Sequence, residues 1–184
     1  MDDAELVASA RAGDVGAYEE LVRRYAAAAV RLAHAVCGSA TEAEDAVQEA
    51  FVKAFHSLHR FRADAPLRPW LMRIVANEAK NRRRSSGRRA RLAVVAAGRR
   101  PDATAGPEDA AITSAESRAV LAAVAALPER DREVISYRYF AGLSERETAE
   151  AIGCPPGTVK SRLARALDRL RTSAAVEALE VADG

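Results

Sequence analysis

Apolar residues recur at three- and four-residue spacing through most of this chain, the signature of helices with one buried face. Tyr18, Leu21, Val22, Tyr25, Val30, Leu32 and Val36 lie between a capping Asp14 and a closing Gly38, which predicts a helix to about Cys37. A shorter helix over Asp3–Ala12, ended by Gly13, precedes it. Thr41 and Glu44 have the spacing of a capping box. They predict a third helix to about His59, with Ala43, Val47, Ala50, Phe51, Ala54, Phe55 and Leu58 as its apolar set. Two prolines make FRADAPLRP, Phe61 to Pro69, a loop, because residues before proline avoid the helical region. Trp70, Leu71, Ile74 and Val75 open a fourth helix, with fraying expected at Ser85, Ser86 and Gly87 and possible continuation over Arg88–Leu92. From 94 to 111 the periodicity fades among Gly98, Pro101, Gly106 and Pro107, which predicts a flexible linker. Its extended reach is at most about 60 Å.

Four more helices are expected beyond the linker: Ile112–Leu127, Pro128–Ala141 and the pair within LSERETAEAIGCPPGTVKSRLARALDRLR. That last stretch reads as a helix-turn-helix. Ser144 and Glu147 can satisfy each other's orphan N–H groups, Gly153 supplies a left-handed turn, and Pro156 suits the first turn of the second helix. Val159, Leu163, Leu167 and Leu170 face inward; Thr158, Lys160, Ser161, Arg162 and Arg165 face out, with groups that reach phosphates and base edges. At this level DNA binding and a solvated helical hairpin both remain open.

The 184 residues contain few aromatics and no run of alternating β-branched residues, so the expected class is all-α. The expected organisation is two small helical domains on a flexible linker, 1–93 and 112–173, with 94–111 between them and 174–184 as an acidic tail. No apolar stretch is long enough to span a bilayer and the acidic N-terminus is no signal peptide, so a cytoplasmic protein is expected. Cys37 and Cys154 are distant from each other and read as ordinary thiols; His34, His56 and His59 lack an acid or metal partner. No catalytic residue, metal or cofactor is assigned. Charge is unevenly placed: ten acidic against five basic residues up to His56, then thirteen basic against two acidic from Arg60 to Arg100. A polyanion on one face and a different partner on another would explain that split.

Two segments together resemble one family. LPERDREVISYRYFAGLSERETAEAIGCPPGTVKSRLARALDRLR is similar to region 4 of bacterial sigma-70 factors of the extracytoplasmic-function (ECF) group. AEDAVQEAFVKAFHSLHRFRADAPLRPWLMRIVANEAKNRRR is similar to their region 2, and GDVGAYEELVRRY to its start. The resemblance implies an alternative sigma factor that binds core RNA polymerase and reads −10 and −35 promoter elements. It implies that Asp45, Gln48 and Glu49, one face of a helix, dock on the coiled coil of the largest polymerase subunit. It assigns Arg62, Asp64, Asn77, Lys80, Asn81, Arg83 and Arg84 to the −10 element, where a loop captures a flipped base. It assigns Arg138, Thr158, Lys160, Ser161, Arg162, Ala164 and Arg165 to the −35 element, with region 4 also contacting the polymerase flap. An anti-sigma factor is implied as a further partner, one that could hold the chain at the membrane. Leu67, where the family usually carries an aromatic, and Pro69 depart from its pattern. Trp70 reads as core, and Arg169 and Arg171 as phosphate-facing or solvated. The rival readings are a stand-alone helix-turn-helix regulator, which leaves Asp45, Gln48 and Glu49 without a role, and a protein-interaction module.

Overall fold

In the computed structural model, which describes residues 1–62, 65–97 and 115–182, every regular element is a helix. Asp14 accepts from the Ala17 N–H and starts α2 (Val15–Cys37), which ends at Gly38 with φ +79°. A left-handed residue there costs little only without a Cβ. Helix α1 (Asp3–Arg11) opens on a capping box between Asp2 and Glu5 and lies on α2. The cap of α3 (Ala40–Ser57) is Ser39, which accepts from the Glu42 N–H, not the expected Thr41. Two overlapping S/T-x-x-E patterns compete here, and the chain takes the earlier one directly after the Gly38 turn. A single 3₁₀ turn, Leu58–Arg60, follows.

The loop predicted over 61–69 is shorter than expected. Helix α4 (Leu67–Ala97) begins two residues before Pro69. The proline sits in the first turn, where its missing N–H has no intrahelical partner to lose. Burial of Leu67 with Phe61, Leu6 and Leu21 fixes that early start. The fraying expected at Ser85–Gly87 does not occur: α4 is continuous through Gly87, where Ser86 Oγ bonds back to the Arg82 carbonyl and to Glu42. The helix thus covers the first four positions read as linker, and 98–111 lie outside the described residues.

Helices α2, α3 and α4 form a three-helix core sealed by Ala29, Leu32, Ala46, Ala50, Met72 and Val75. Small alanines on α2 and α3 let the backbones approach closely. The second half adds α5 (Ala115–Ala126), α6 (Glu129–Ile135), a π-helical turn (Ser136–Phe140), α7 (Glu145–Ile152) and α8 (Pro156–Ala182). The capping box of α7 and the left-handed Gly153, φ +76°, form as predicted. Val159 and Ala166 seal α8 on α6 and α7. Helix α8 runs through much of the stretch read as a tail.

The two halves are packed on each other, which the sequence left undetermined. Tyr137, Ala141 and Leu143 are at most 1 % exposed and belong to the same core as α2 and α4. In return Ala35 of α2 is buried among Val124, Ile135 and Val159. Gly142, φ +66°, lets the chain turn beside Arg68, whose Nη2 would stand 3.0 Å from any added Cβ. That Arg68 group donates to the Ala141 carbonyl at 2.6 Å.

Candidate nucleic-acid and partner interfaces

Three groups of candidate residues occupy different parts of this frame. On α3, Asp45, Gln48 and Glu49 are all exposed, one helical turn apart. Beneath them α3 and α4 run antiparallel and are zipped by charge: Lys53 with Glu78 at 2.6 Å, Arg82 with Asp45 and Glu49, and Arg89 with Glu42 at 3.8 Å. Arg82 reaches Asp45 through Nη1 at 2.8 Å and Glu49 through Nη2 at 2.6 Å.

The candidate −10 residues divide in two. Asn77 and Asn81, one turn apart on α4, are exposed, as is Arg62 after the 3₁₀ turn; Asp64 lies outside the described residues. Arg62 lines a cleft of about 310 Å³ together with Arg60, Trp70, Arg73 and, from α7, Glu150. Trp70 is half-buried against Phe61, ring centroids 4.9 Å apart, so it is core on one side and cleft wall on the other. Lys80, Arg83 and Arg84 instead face the second half of the chain. Lys80 pairs with Glu133 at 2.7 Å and Arg84 with Glu129 at 2.8 Å. Arg83 donates to the Val36 and Ala125 carbonyls at 3.0 and 2.9 Å. With Gly87, Arg88, Arg91 and Arg132 they line a second cleft of about 400 Å³. Burial, and then the nearby Arg83 charge, pull the Arg132 guanidinium below its ordinary pKa. It donates to the Ala125 and Leu127 carbonyls and closes the end of α5.

The third group is open. On α8, Lys160, Ser161, Ala164 and Arg165 are exposed, with Thr158 and Arg162 half-buried at their flanks. Arg138 stands apart: its guanidinium donates to the Leu143 carbonyl, bracing the turn into α7. Arg169, read as phosphate-facing or solvated, pairs with the buried Asp131 of α6 at 3.0 Å, while Arg171 is exposed. Cys37 is buried and its thiol is pushed up to about 12, by burial first and then by Glu42, so it stays protonated. Among the described residues no group of His, Cys, Asp and Glu could hold a metal, and no helix is long and apolar enough to cross a membrane.

Residues 21–89 match the family model for sigma-70 region 2, and residues 117–170 that for sigma-70 region 4. The chain is 36 % identical to the RNA polymerase sigma-H factor of Pseudomonas aeruginosa over 187 residues, covering 91 % of each. It is 34 % identical to the ECF RNA polymerase sigma-E factor of Escherichia coli K12, covering 92 % of this chain and 93 % of that one. This chain belongs to the ECF group of sigma-70 factors. A sigma factor of this kind directs promoter recognition by RNA polymerase and is not an enzyme. CnrH, solved in complex with the cytosolic domain of CnrY, superposes with TM-score 0.72 at 28 % identity over 96 % of this sigma factor and 97 % of CnrH. The Bartonella quintana sigma factor RpoE, solved with the anti-sigma factor NepR, gives 0.69 at 27 % identity over 86 % and 97 %.

Sequence reasoning named Arg82 only as part of a basic run with Lys80, Arg83 and Arg84, and did not single out Arg73, Glu129 or Glu133 in this sigma factor. Spacing can suggest that a helix face is charged. It cannot say that a cation on α4 meets a carboxylate 53 residues away.

Proposed function

We propose that this sigma factor works through three surfaces. The α3 face of Asp45, Gln48 and Glu49 docks on the coiled coil of the largest polymerase subunit, whose arginines would donate charge-assisted hydrogen bonds. Arg62, Asp64, Asn77, Lys80, Asn81, Arg83 and Arg84 engage the −10 element. The cleft between Arg62 and Trp70 has room and polar edges for a base drawn out of the stack. Thr158, Lys160, Ser161, Arg162, Ala164 and Arg165 enter the −35 major groove, while Arg138 serves them by holding the turn into α7. Region 4 also contacts the polymerase flap. The chain divides for these tasks into residues 1–93 and 112–173, with 94–111 as tether and 174–184 as tail. It acts in the cytoplasm, where an anti-sigma factor restrains it and could hold it at the membrane.

The observation that carries this reading is the open face of α8. Lys160, Ser161, Ala164 and Arg165 point to solvent while Val159 and Ala166, on the opposite side, are fully buried. That leaves Lys160 and Arg165 on an open helix face, with the groups a recognition helix brings to phosphates and base edges.

The test is promoter-specific transcription by sigma-free core polymerase supplemented with the chain, run beside Asp45→Arg. The wild type should start transcription at promoters sharing paired upstream elements. Asp45→Arg should lose core binding while keeping its helical content and its −35 duplex binding. Normal transcription by that variant would remove α3 from the docking surface.

A further inference from the structure

Four basic residues follow one another on α4 within five positions: Lys80, Arg82, Arg83 and Arg84. Three of them turn toward region 4. Arg82 alone turns the other way and takes one oxygen of Asp45 and one of Glu49 in its two-pronged guanidinium. The other oxygens, Oδ1 of Asp45 and Oε2 of Glu49, have no partner among the described residues. Both carboxylates remain half exposed, at 50 % and 49 %, whereas Arg82 is 28 % exposed. Partial burial draws the Arg82 pKa down, but the hydrogen bond and charge of Glu49, with Asp45, outweigh it and hold the group above its ordinary value. The guanidinium is therefore charged at every physiological pH, and the cluster carries a net charge of −1 where the two acids alone would carry −2.

We propose that Arg82 is a self-ligand of the polymerase-docking face, standing where an arginine of the polymerase would stand. When core polymerase docks, its cations replace Arg82 on Asp45 and Glu49. The released guanidinium, between Asn81 and Arg83 in sequence, then becomes available to a phosphate of the promoter strand. One side chain thereby links the two events: the chain in isolation holds a DNA contact in reserve, and docking frees it. The exchange is feasible because it is nearly isoenergetic. Arginine–carboxylate bonds are traded for bonds of the same kind, and solvent-exposed pairs are individually weak. A deeply buried pair would not exchange so readily.

This inference rests on α3 being the docking face, so the experiment contains a variant for each. Core affinity is measured by fluorescence anisotropy for the wild type, Arg82→Ala, Arg82→Lys and Asp45→Arg, with circular dichroism to confirm folding. Arg82→Ala should bind core about two- to tenfold more tightly at low salt, the gap narrowing as salt rises. Arg82→Lys should fall between, since an ammonium keeps the charge without the fork. At saturating core, Arg82→Ala should open promoters less well, with a salt dependence shallower by about one phosphate contact. If Asp45→Arg fails to bind while Arg82→Ala binds core as weakly as, or more weakly than, wild type, Arg82 only braces α3 on α4 and the self-ligand idea is overturned. If Asp45→Arg binds core normally, the docking reading fails and takes this inference with it.

Discussion

Replacing Glu133 by Gln would separate a structural role of the inter-region contacts from a gating one. Glu133 Oε1 lies 2.7 Å from Lys80 Nζ, and the two side chains are only 17 % and 22 % exposed. A fully exposed pair contributes about 0.2–1 kcal/mol, and a charge-assisted bond sheltered from water about 1.5–3 kcal/mol. This pair lies between those limits, and its loss should cost about 1–2 kcal/mol of contact between region 2 and region 4. The same change leaves Lys80 without its carboxylate and available to a phosphate. Binding of a fluorescent single strand carrying the −10 element to the free chain should therefore tighten, by up to roughly tenfold for about 1.4 kcal/mol. The melting temperature should fall in the same variant. Opposite signs in the two assays are the diagnostic. Glu19→Gln makes an equal charge change on an exposed site of α2 and should leave both readings near wild type. If Glu133→Gln bound the strand no better than the Glu19 control, Lys80 would not be held back by region 4.

Two further variants probe packing and capping. Leu143→Ala removes a fully buried side chain from the core shared by α2, α4 and region 4, and should cost about 2–5 kcal/mol, seen as a lower urea midpoint. Glu147→Gln tests the α7 cap against pH. The Ser144 hydroxyl first, and its backbone N–H second, hold the Glu147 carboxyl below its ordinary range. A carboxyl depressed in the folded state contributes stability that is present above its unfolded value and lost as pH falls through the folded one. Because the cap lies at the protein surface and is only half-buried, the effect is small: about 0.5–1 kcal/mol lost at neutral pH, with wild type and variant converging as the Glu147 carboxyl protonates in acid. A constant gap between them down to strong acid would refute the ionised cap.

Sequence alone determined what depends on near neighbours along the chain. The caps at Asp14 and Ser144, the left-handed glycines 38 and 153, and the inward face of α8 follow from backbone sterics and helical periodicity, which act over a few residues. The family and its function were legible for a related reason: regions 2 and 4 each carry a contiguous motif, in order. Where local signals were degenerate the reading slipped. Ser39 and Thr41 both offered a cap to α3, and Pro69 and Gly87 resembled breaks that packing and the first-turn position of the proline made harmless.

Tertiary structure alone decided what each exposed-looking charge meets. Periodicity says which side of a helix is buried, not against what. Lys80, Arg83 and Arg84 read as one basic run, yet folding gives them Glu133, two backbone carbonyls and Glu129 as partners, and turns Arg82 to the acids of α3. Those partners lie dozens of positions away in sequence. The acids of α3 meet α4 through the three-helix packing of region 2, and Glu129, Glu133 and the Ala125 carbonyl meet it because Tyr137 and Leu143 are buried in the region 2 core, packing choices that no local rule encodes.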